Sequence, residues 1–576
     1  MKNIVSLKIL LIFSLTAFAQ QEYKTLFEES EGTKTPEYEE VIQYFQNLAD
    51  DFDQVKVVEM GMTDAGYPLH LVLLDKTQVF DPQKWHEKNR PILFINNGIH
   101  PGEPDGIDAS MMLLRDILLG KQQINDELVI ALIPVYNIGG HLNRGSHSRV
   151  NQNGPEAYGF RGNARNFDLN RDFIKADTKN ARSFQLIFNW VRPHIFVDTH
   201  VSNGADYQHV MTLISTQHNR LGGQAGQYLN EELNPFLYQK MDEKGFPMVP
   251  YVNAWGGKPE DGWTQFKDLG RYSSGYAALF GTLSFMPETH MLKPYKERVE
   301  STYKLLEAFL EILNKEGNKI VNVVKSDRES QRARSEFAFN HILDKEKHSL
   351  ITFKGYESGQ KPSDISGLPR LYYDRGKPFT KEVKFFDTYR EGQLIKKPEA
   401  YIIPHGWYTV IENLQRNGVT LTRLPKDTTI KVSIYHIEDF QTATRPFEGH
   451  YLHSNTKIVK SQGFMDFRSG DYLVTMNQEV NRYIMEVLEP ESEDSFFNWN
   501  FFDTVLQAKE GYSAYVFEDL ANEFLEAHGR MRQVLEEEKA KDENLANSAA
   551  AQLRWVYERT PWKEKEHNRY PIFRID

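Results

Sequence analysis

The chain has no cysteine at any of its 576 positions. That excludes disulfides as a source of stability and thiolates as metal ligands, so a bound metal must rest on imidazole and carboxylate. It also leaves Gln20, the position after the first apolar run, without the thiol that a lipid anchor needs. An excess of positive charge is missing too. The formal net charge is −12, which offers no basic face to a phosphate backbone and argues against nucleic acid as a partner. Beyond residue 19 no apolar run reaches the roughly 20 residues of a membrane-spanning helix. Internal repeats and low-complexity tracts are absent as well.

What is present can bury a large core. At 40% hydrophobic and 12% aromatic content the chain reads as globular, with more than one domain. Residues 1–19 carry Lys2 and Lys8, then an apolar run, then Ala17-Phe18-Ala19. This is the layout of a secretory signal peptide, which places the mature protein in the periplasm or outside the cell.

From there short apolar runs alternate with helical or loop segments. The runs are Leu69 to Leu74, Ile92 to Asn96, Leu128 to Val135, Ile195 to Thr199 and Val210 to Ile214. Such alternation predicts an α/β fold with a mixed, mostly parallel sheet covered by helices on both faces. Ligands in sheets of this kind gather at the carboxyl ends of strands. At one such end stands Asn97-Gly-Ile-His-Pro-Gly-Glu103, between the run at Ile92 and a helical stretch from Asp105 to Leu119. His100 and Glu103, at i and i+3, can turn together onto one metal. A catalytic zinc site normally takes three protein ligands and leaves a place for water. His200, which ends the run at Ile195, is the expected third ligand.

The rest of the chain divides by pattern. Residues 20–315 read as the catalytic domain, closed by an amphipathic helix over Lys296 to Asn314. Residues 316–347 are charged and read as a connector. Residues 348–500 read as a β-rich accessory domain with one embedded α/β unit, Tyr401-Ile-Ile followed by a helical pattern to Asn417-Gly418. Residues 501–576 read as a helical tail, and Leu488 to Ser495 as an acidic, solvated loop. A polar loop between Asn137 and Phe173 carries Arg144, Arg149, Arg161, Arg165 and Arg171, and loops this long inside a domain are usually functional.

Taken in order, His100-x-x-Glu103, Asn170-Arg171 within Asp168-Leu-Asn-Arg-Asp172, His200, and Glu288 within Phe285-Met-Pro-Glu-Thr289 resemble the motifs of the M14 (carboxypeptidase A-like) zinc carboxypeptidases. The resemblance covers roughly residues 40 to 315. It implies one Zn²⁺ per chain and removal of the C-terminal residue from a peptide with a free carboxylate. His100, Glu103 and His200 would hold the metal, which acidifies a bound water. Glu288 would be the general base, with Glu297 its competitor. Asn170 and Arg171 would grip the terminal carboxylate. The resemblance further implies an oxyanion-stabilising arginine, Arg149 or alternatively Arg161, and a mobile tyrosine, Tyr272 or alternatively Tyr276. His194, His209, His218 and His290 read as bystanders, although His290 stands close enough to Glu288 in sequence to tune it. One departure is evident, since the arginine that often precedes the motif's glutamate is Gly102 here. The same metal site would also serve a deacylase or amidase acting on acylated amino acids or cell-wall peptides, or a binding module without turnover.

Overall fold

The apolar runs at Ile92–Asn96, Val129–Ile133 and Ile195–Asp198 are buried at every position, which requires cover on both faces. In the computed structural model, which describes residues 23–576, they form the centre of a sheet. The expected signal peptide at 1–19 lies outside the described residues. In chain order the strands are β1 (Val55–Met62), β2 (Pro68–Asp75), β3 (Ile92–Asn96), β4 (Val129–Ile133), β5 (Ile195–Asp198), β6 (His200–Ser202), β7 (Met211–Ser215), β8 (Val249–Pro250), β9 (Trp263–Thr264) and β10 (Leu283–His290). The sheet runs β1-β2-β4-β3-β5-β10-β7-β8, with β6 continuing alongside β10, while β9 lies outside it and pairs with Pro369–Phe386. From β4 through β3 and β5 to β10 the strands are parallel, while β1, β2 and β7 enter antiparallel. The fold is the mixed, mostly parallel α/β architecture that the strand pattern predicts.

Alternation along β3 divides the core in two. Leu93 and Ile95 face a cluster with Val41, Phe45, Leu113, Leu306 and Phe309. These come from α1 (Tyr38–Asp51), α2 (Asp105–Leu118) and the long helix that follows the last strand. Ile92 and Phe94 face the other way, onto Phe184 and Phe188 of α3 (Lys179–Val191) and Tyr276 of α4 (Ser273–Leu279). A close approach at Gly106 fixes α2 against the strand ends. A Cβ on Gly106 would fall 2.1 Å from Thr199 Oγ1, so the helix can come this near only through glycine. Thr199 Oγ1 in turn donates to Asn97 Oδ1 at 2.8 Å.

Several expectations for the later chain are corrected. The helix expected to stop at Asn314 is α5 (Tyr295–Ala333), which kinks at Glu316 and runs on through most of the supposed connector 316–347. Many of its charges face outward, while Ile320, Val321 and Val324 continue the buried stripe. Arg328 Nη2, also buried, donates to Pro193 O at 2.8 Å. Residues 348–500 share the catalytic domain's core as well, beside a smaller cluster of Ile402, Val432 and Phe467 with Phe573. Tyr401, Ile411, Leu414, Tyr483 and Trp499 join the same cluster as Phe94, Phe184 and Tyr276, so this region is the cover on the second face of the sheet.

The embedded α/β unit has its strand at Ala400–Ile403 and its helix at Tyr408–Arg416, with Gly418 beyond the helix end at φ +72°. The tail 501–576 is helical from Ala514 to Tyr557, but it ends in a strand, Phe573–Ile575. That strand sits inside a six-stranded sheet between Ala400–Ile403 and Thr428–Thr442. The acidic loop Leu488 to Ser495 is not solvated. Glu489 and Asp494 are buried because each has an arginine, Arg574 at 2.7 Å and Arg271 at 2.7 Å. Among the described residues no helix is long and apolar enough to cross a membrane.

Candidate metal centre and cleft

The end of β3 makes the first part of the site. After Asn97 the chain turns through Gly98, at φ +66°, a left-handed conformation that glycine adopts without a Cβ penalty. The Glu103 amide then donates to His100 O at 2.8 Å. This tight turn, rather than a helix, sets the two side chains next to each other. On the neighbouring strand, the chain steps from Asp198 at the end of β5 to His200 at the start of β6. One ligand atom from each of His100, Glu103 and His200 lies within 4.8 Å of the others, and all three residues are buried.

The atoms that face one another fit a cation. His100 Nε2 lies 2.9 Å from Asp168 Oδ1, and His200 Nε2 lies 3.0 Å from Asp198 Oδ2. Each carboxylate accepts the Nε2 proton and turns the Nδ1 lone pair inward. There His100 Nδ1 is buried without a hydrogen-bond partner. His200 Nδ1 stands 3.2 Å from Glu103 Oε2. Lone pairs and carboxylate oxygens converging in a buried place need a positive charge among them, and a His₂-Glu donor set suits zinc. Asp198 and Asp168 are functional residues that sequence reasoning missed. Asp168 stands in the motif Asp168-Leu-Asn-Arg-Asp172, and Asp198 ends a strand with nothing local to single it out.

Around these groups opens a cavity of about 610 Å³. His100, Glu103, Arg149, Asn170, Arg171, His200, Tyr272 and Glu288 all line it. Glu288 arrives through strand register, since on β10 it pairs directly with His200 of β6. Burial pushes its carboxyl up to about 7, with Glu103 adding to the rise and His200, Arg161 and Arg149 opposing it. For Glu103 burial also raises the pKa, but the charges of Arg149 and His100 outweigh it and hold the carboxyl well below the ordinary range.

The arginines come from the loop between Asn137 and Phe173. Arg149 is ion-paired with Glu103 Oε1, and Arg161 Nη1 lies 3.5 Å from the same oxygen. Arg161 Nη2 also reaches Asp168 Oδ2 at 2.9 Å. Both alternatives therefore border the cavity. Gly102 now has a physical reason, because a Cβ there would fall 2.5 Å from Arg149 Cδ. Where the resemblance leads one to expect an arginine, another arginine's stem occupies the space. Arg144 and Arg165 are instead structural staples, donating to the carbonyls of Thr35, Pro36, Ala157 and Asp177.

Asn170 and Arg171 lie on a single 3₁₀ turn, Leu169–Arg171. Asn170 Oδ1 accepts from Ser273 N at 3.0 Å, and the Arg171 guanidinium stacks 4.6 Å from the Tyr272 ring centre. Tyr276 lies elsewhere. It is fully buried in the second core cluster, and its hydroxyl donates to Asn417 Oδ1 at 2.5 Å. Glu297 is exposed on the first turn of α5. His194, His209 and His290 are buried and held by backbone groups, and His290 Nε2 also lies 3.3 Å from Asp206. Tyr251, not singled out from the sequence, lines the cavity. Burial and the nearby Glu288 both push its hydroxyl pKa up.

Part of the chain is similar to known proteins. The family model Peptidase_M14, described as zinc carboxypeptidase, matches residues 41–194. Over that stretch the chain is similar to the zinc carboxypeptidases of this family. The matched stretch includes His100, Glu103, Arg149, Asn170 and Arg171, and ends short of His200 and Glu288. Carboxypeptidase 2 of Trichophyton rubrum is 22% identical over 494 residues, covering 81% of this chain and 84% of that protein. Carboxypeptidase 2 of Trichophyton equinum is 21% identical over 427 residues, 70% of this chain and 72% of that protein. Among solved structures, carboxypeptidase A from Helicoverpa armigera aligns with 56% of this chain and 81% of its own at 15% identity, with a TM-score of 0.38.

Proposed function

We propose that the protein is an exported zinc carboxypeptidase that hydrolyses the last peptide bond of peptides with a free C-terminal carboxylate. The observation that carries this reading is one cavity shared by the His100–Glu103–His200 cluster, Glu288 and the Asn170–Arg171 pair. Export rests on the pattern of residues 1–19. When bound by His100, Glu103 and His200, zinc supplies an acidified water and polarises a carbonyl.

The protein's own groups carry the remaining work. Glu288 is the general base, and a carboxyl raised toward neutrality can both accept a proton and return it to the leaving amine. Arg171 reads the chain end, because a guanidinium fork matches a carboxylate and an internal peptide bond offers no such charge. Asn170 is the second donor. Arg149, with Arg161 beside it, stabilises negative charge developing on the carbonyl oxygen. Tyr272 keeps Arg171 in place through the stacking contact.

The side chain being released meets an apolar end of the cavity. Met286 Sδ lies 3.8 Å from Asn170 Nδ2, Ile214 pairs with Met286 across the sheet, and Phe266 packs edge-on against Tyr272. This supports a preference for apolar or aromatic C-terminal residues.

The test compares one peptide as free acid and as C-terminal amide. Wild type should favour the acid strongly. Arg171→Met should lower kcat/KM for the acid by about 2–5 kcal/mol, as for a truncated buried charge pair, and leave the amide nearly unchanged. Equal cleavage of acid and amide by the wild type would refute chain-end recognition and favour a deacylase or amidase.

A further inference from the structure

The hairpin Thr428–Thr442/His453–Phe467 belongs to the C-terminal region, yet the turn that joins its strands reaches Phe167 and Asp168 in the arginine-bearing loop. At that turn the Phe447 amide donates to His450 O at 2.7 Å and the His450 amide to Phe447 O at 3.0 Å. The two residues between them, Glu448 and Gly449, have φ of +48° and +82°. A tight turn with two left-handed residues favours Asn-Gly or Asp-Gly. Glutamate in the first place is strained, and strain of this kind persists where the surroundings impose it.

The surroundings do impose it. The Phe447 ring stacks on Trp499 at 6.2 Å, and the Arg271 guanidinium lies over both. His450 Nε2 is 2.7 Å from Asp177 Oδ2. Held in this way, Glu448 Oε2 accepts the backbone N–H of Asp168 at 2.8 Å, across 280 residues of chain.

The Asp168 side chain ties together several parts of the site. Its Oδ1 takes His100 Nε2 and the Asn170 amide, both at 2.9 Å. Its Oδ2 takes Arg161 Nε at 3.0 Å and Nη2 at 2.9 Å. A shift of the Asp168 backbone therefore moves a metal-ligating ring, the substrate-binding turn and an arginine together. We propose that Glu448 is a positioning residue for the metal site: it fixes Asp168, and through Asp168 the His100 imidazole. The C-terminal region is then part of the catalytic apparatus rather than an appendage. This inference rests on the zinc-site reading given under Proposed function.

The test uses the full-length protein and two variants. Glu448→Asn suits the turn better than glutamate, because asparagine tolerates positive φ and precedes glycine here, but it is one methylene too short to reach Asp168. Glu448→Gln keeps a carbonyl at the original reach. Zinc affinity is measured by chelator competition, thermal midpoint on the metal-free protein, and kcat and KM on a free-acid peptide.

The expected result is that Glu448→Asn unfolds no lower than wild type yet binds zinc about threefold to tenfold more weakly, below the 10–100-fold of a partner bonded directly to a ligand. Its kcat should fall by a similar factor and KM should rise, because the Asn170–Arg171 turn moves with Asp168, and Glu448→Gln should restore zinc affinity, kcat and KM. Wild-type zinc affinity and kcat in Glu448→Asn would overturn the proposal, and so would equal impairment in the Asn and Gln variants. A wild type that holds zinc but cleaves no peptide refutes the peptidase reading alone, since the zinc measurement still decides the role of Glu448.

Discussion

Asp198→Asn tests how the metal centre is held. The Asp198 carboxylate is fully buried and accepts two hydrogen bonds, from His200 Nε2 at 3.0 Å and from Asn96 Nδ2 at 2.9 Å. Asparagine keeps the shape but has only one acceptor oxygen, so its NH₂ must face one of two buried donors. An unsatisfied buried donor costs about 1–3 kcal/mol, and that much stability should be lost even in the metal-free protein. If the amide oxygen turns to Asn96, His200 loses its anchor and its tautomer. If it turns to His200, the ring keeps a hydrogen bond but loses the negative charge that makes it a better ligand.

Either way zinc affinity should fall about 10–100-fold, or roughly 1.4–2.8 kcal/mol at 1.4 kcal/mol per decade. Chelator competition at fixed pH reads the affinity, and denaturant unfolding of the metal-free protein reads the stability. Undiminished zinc affinity would refute the assignment of His200 Nδ1 as the ligand atom. The same affinity loss with no change in metal-free stability would show that Asn96 and Asp198 are not the buried pair described here.

Glu288→Gln preserves shape and removes the base, so zinc content should be unchanged while kcat falls by about 10²–10⁴; wild-type turnover would move that role to another carboxylate. Asp494→Ala strips Arg271 of a carboxylate that it meets through Nε at 2.8 Å and Nη2 at 2.7 Å. The cost should be about 3–5 kcal/mol, as for breaking a buried pair, seen as a lower urea midpoint, and an unchanged midpoint would mean that the pair contributes nothing.

Some of this protein is legible without coordinates because the information is local. A continuous apolar run such as Ile92-Leu-Phe-Ile-Asn96 has to be a strand covered on both sides. The polar turn after it, with His100 and Glu103 three positions apart, has to lie at that strand's carboxyl end. The absence of cysteine leaves imidazole and carboxylate as metal donors. Those facts are sufficient for the α/β class and for the first two members of the metal cluster, and the strand-end position of His200 supplies a candidate third.

Everything that depends on strand order, register or long-range pairing required the tertiary structure. Nothing near Glu288 in the chain states that it will pair with His200; the parallel register of β10 beside β6 decides it. Pattern places the acidic stretch around Glu489 and Asp494 in solvent, since a carboxylate without a partner belongs there. Arg574 and Arg271, distant in sequence, bring it inside. The charged residues after Asn314 look like a connector until the inward stripe of Ile320, Val321 and Val324 finds the core. A hydrophobic period reports how a segment lies against its own neighbours, but a buried charge is tolerable only where a second segment delivers its counter-ion. That delivery is a property of topology, and it is why the ligand turn can be read from the sequence while Asp198, Asp168 and Glu448 are found only in the fold.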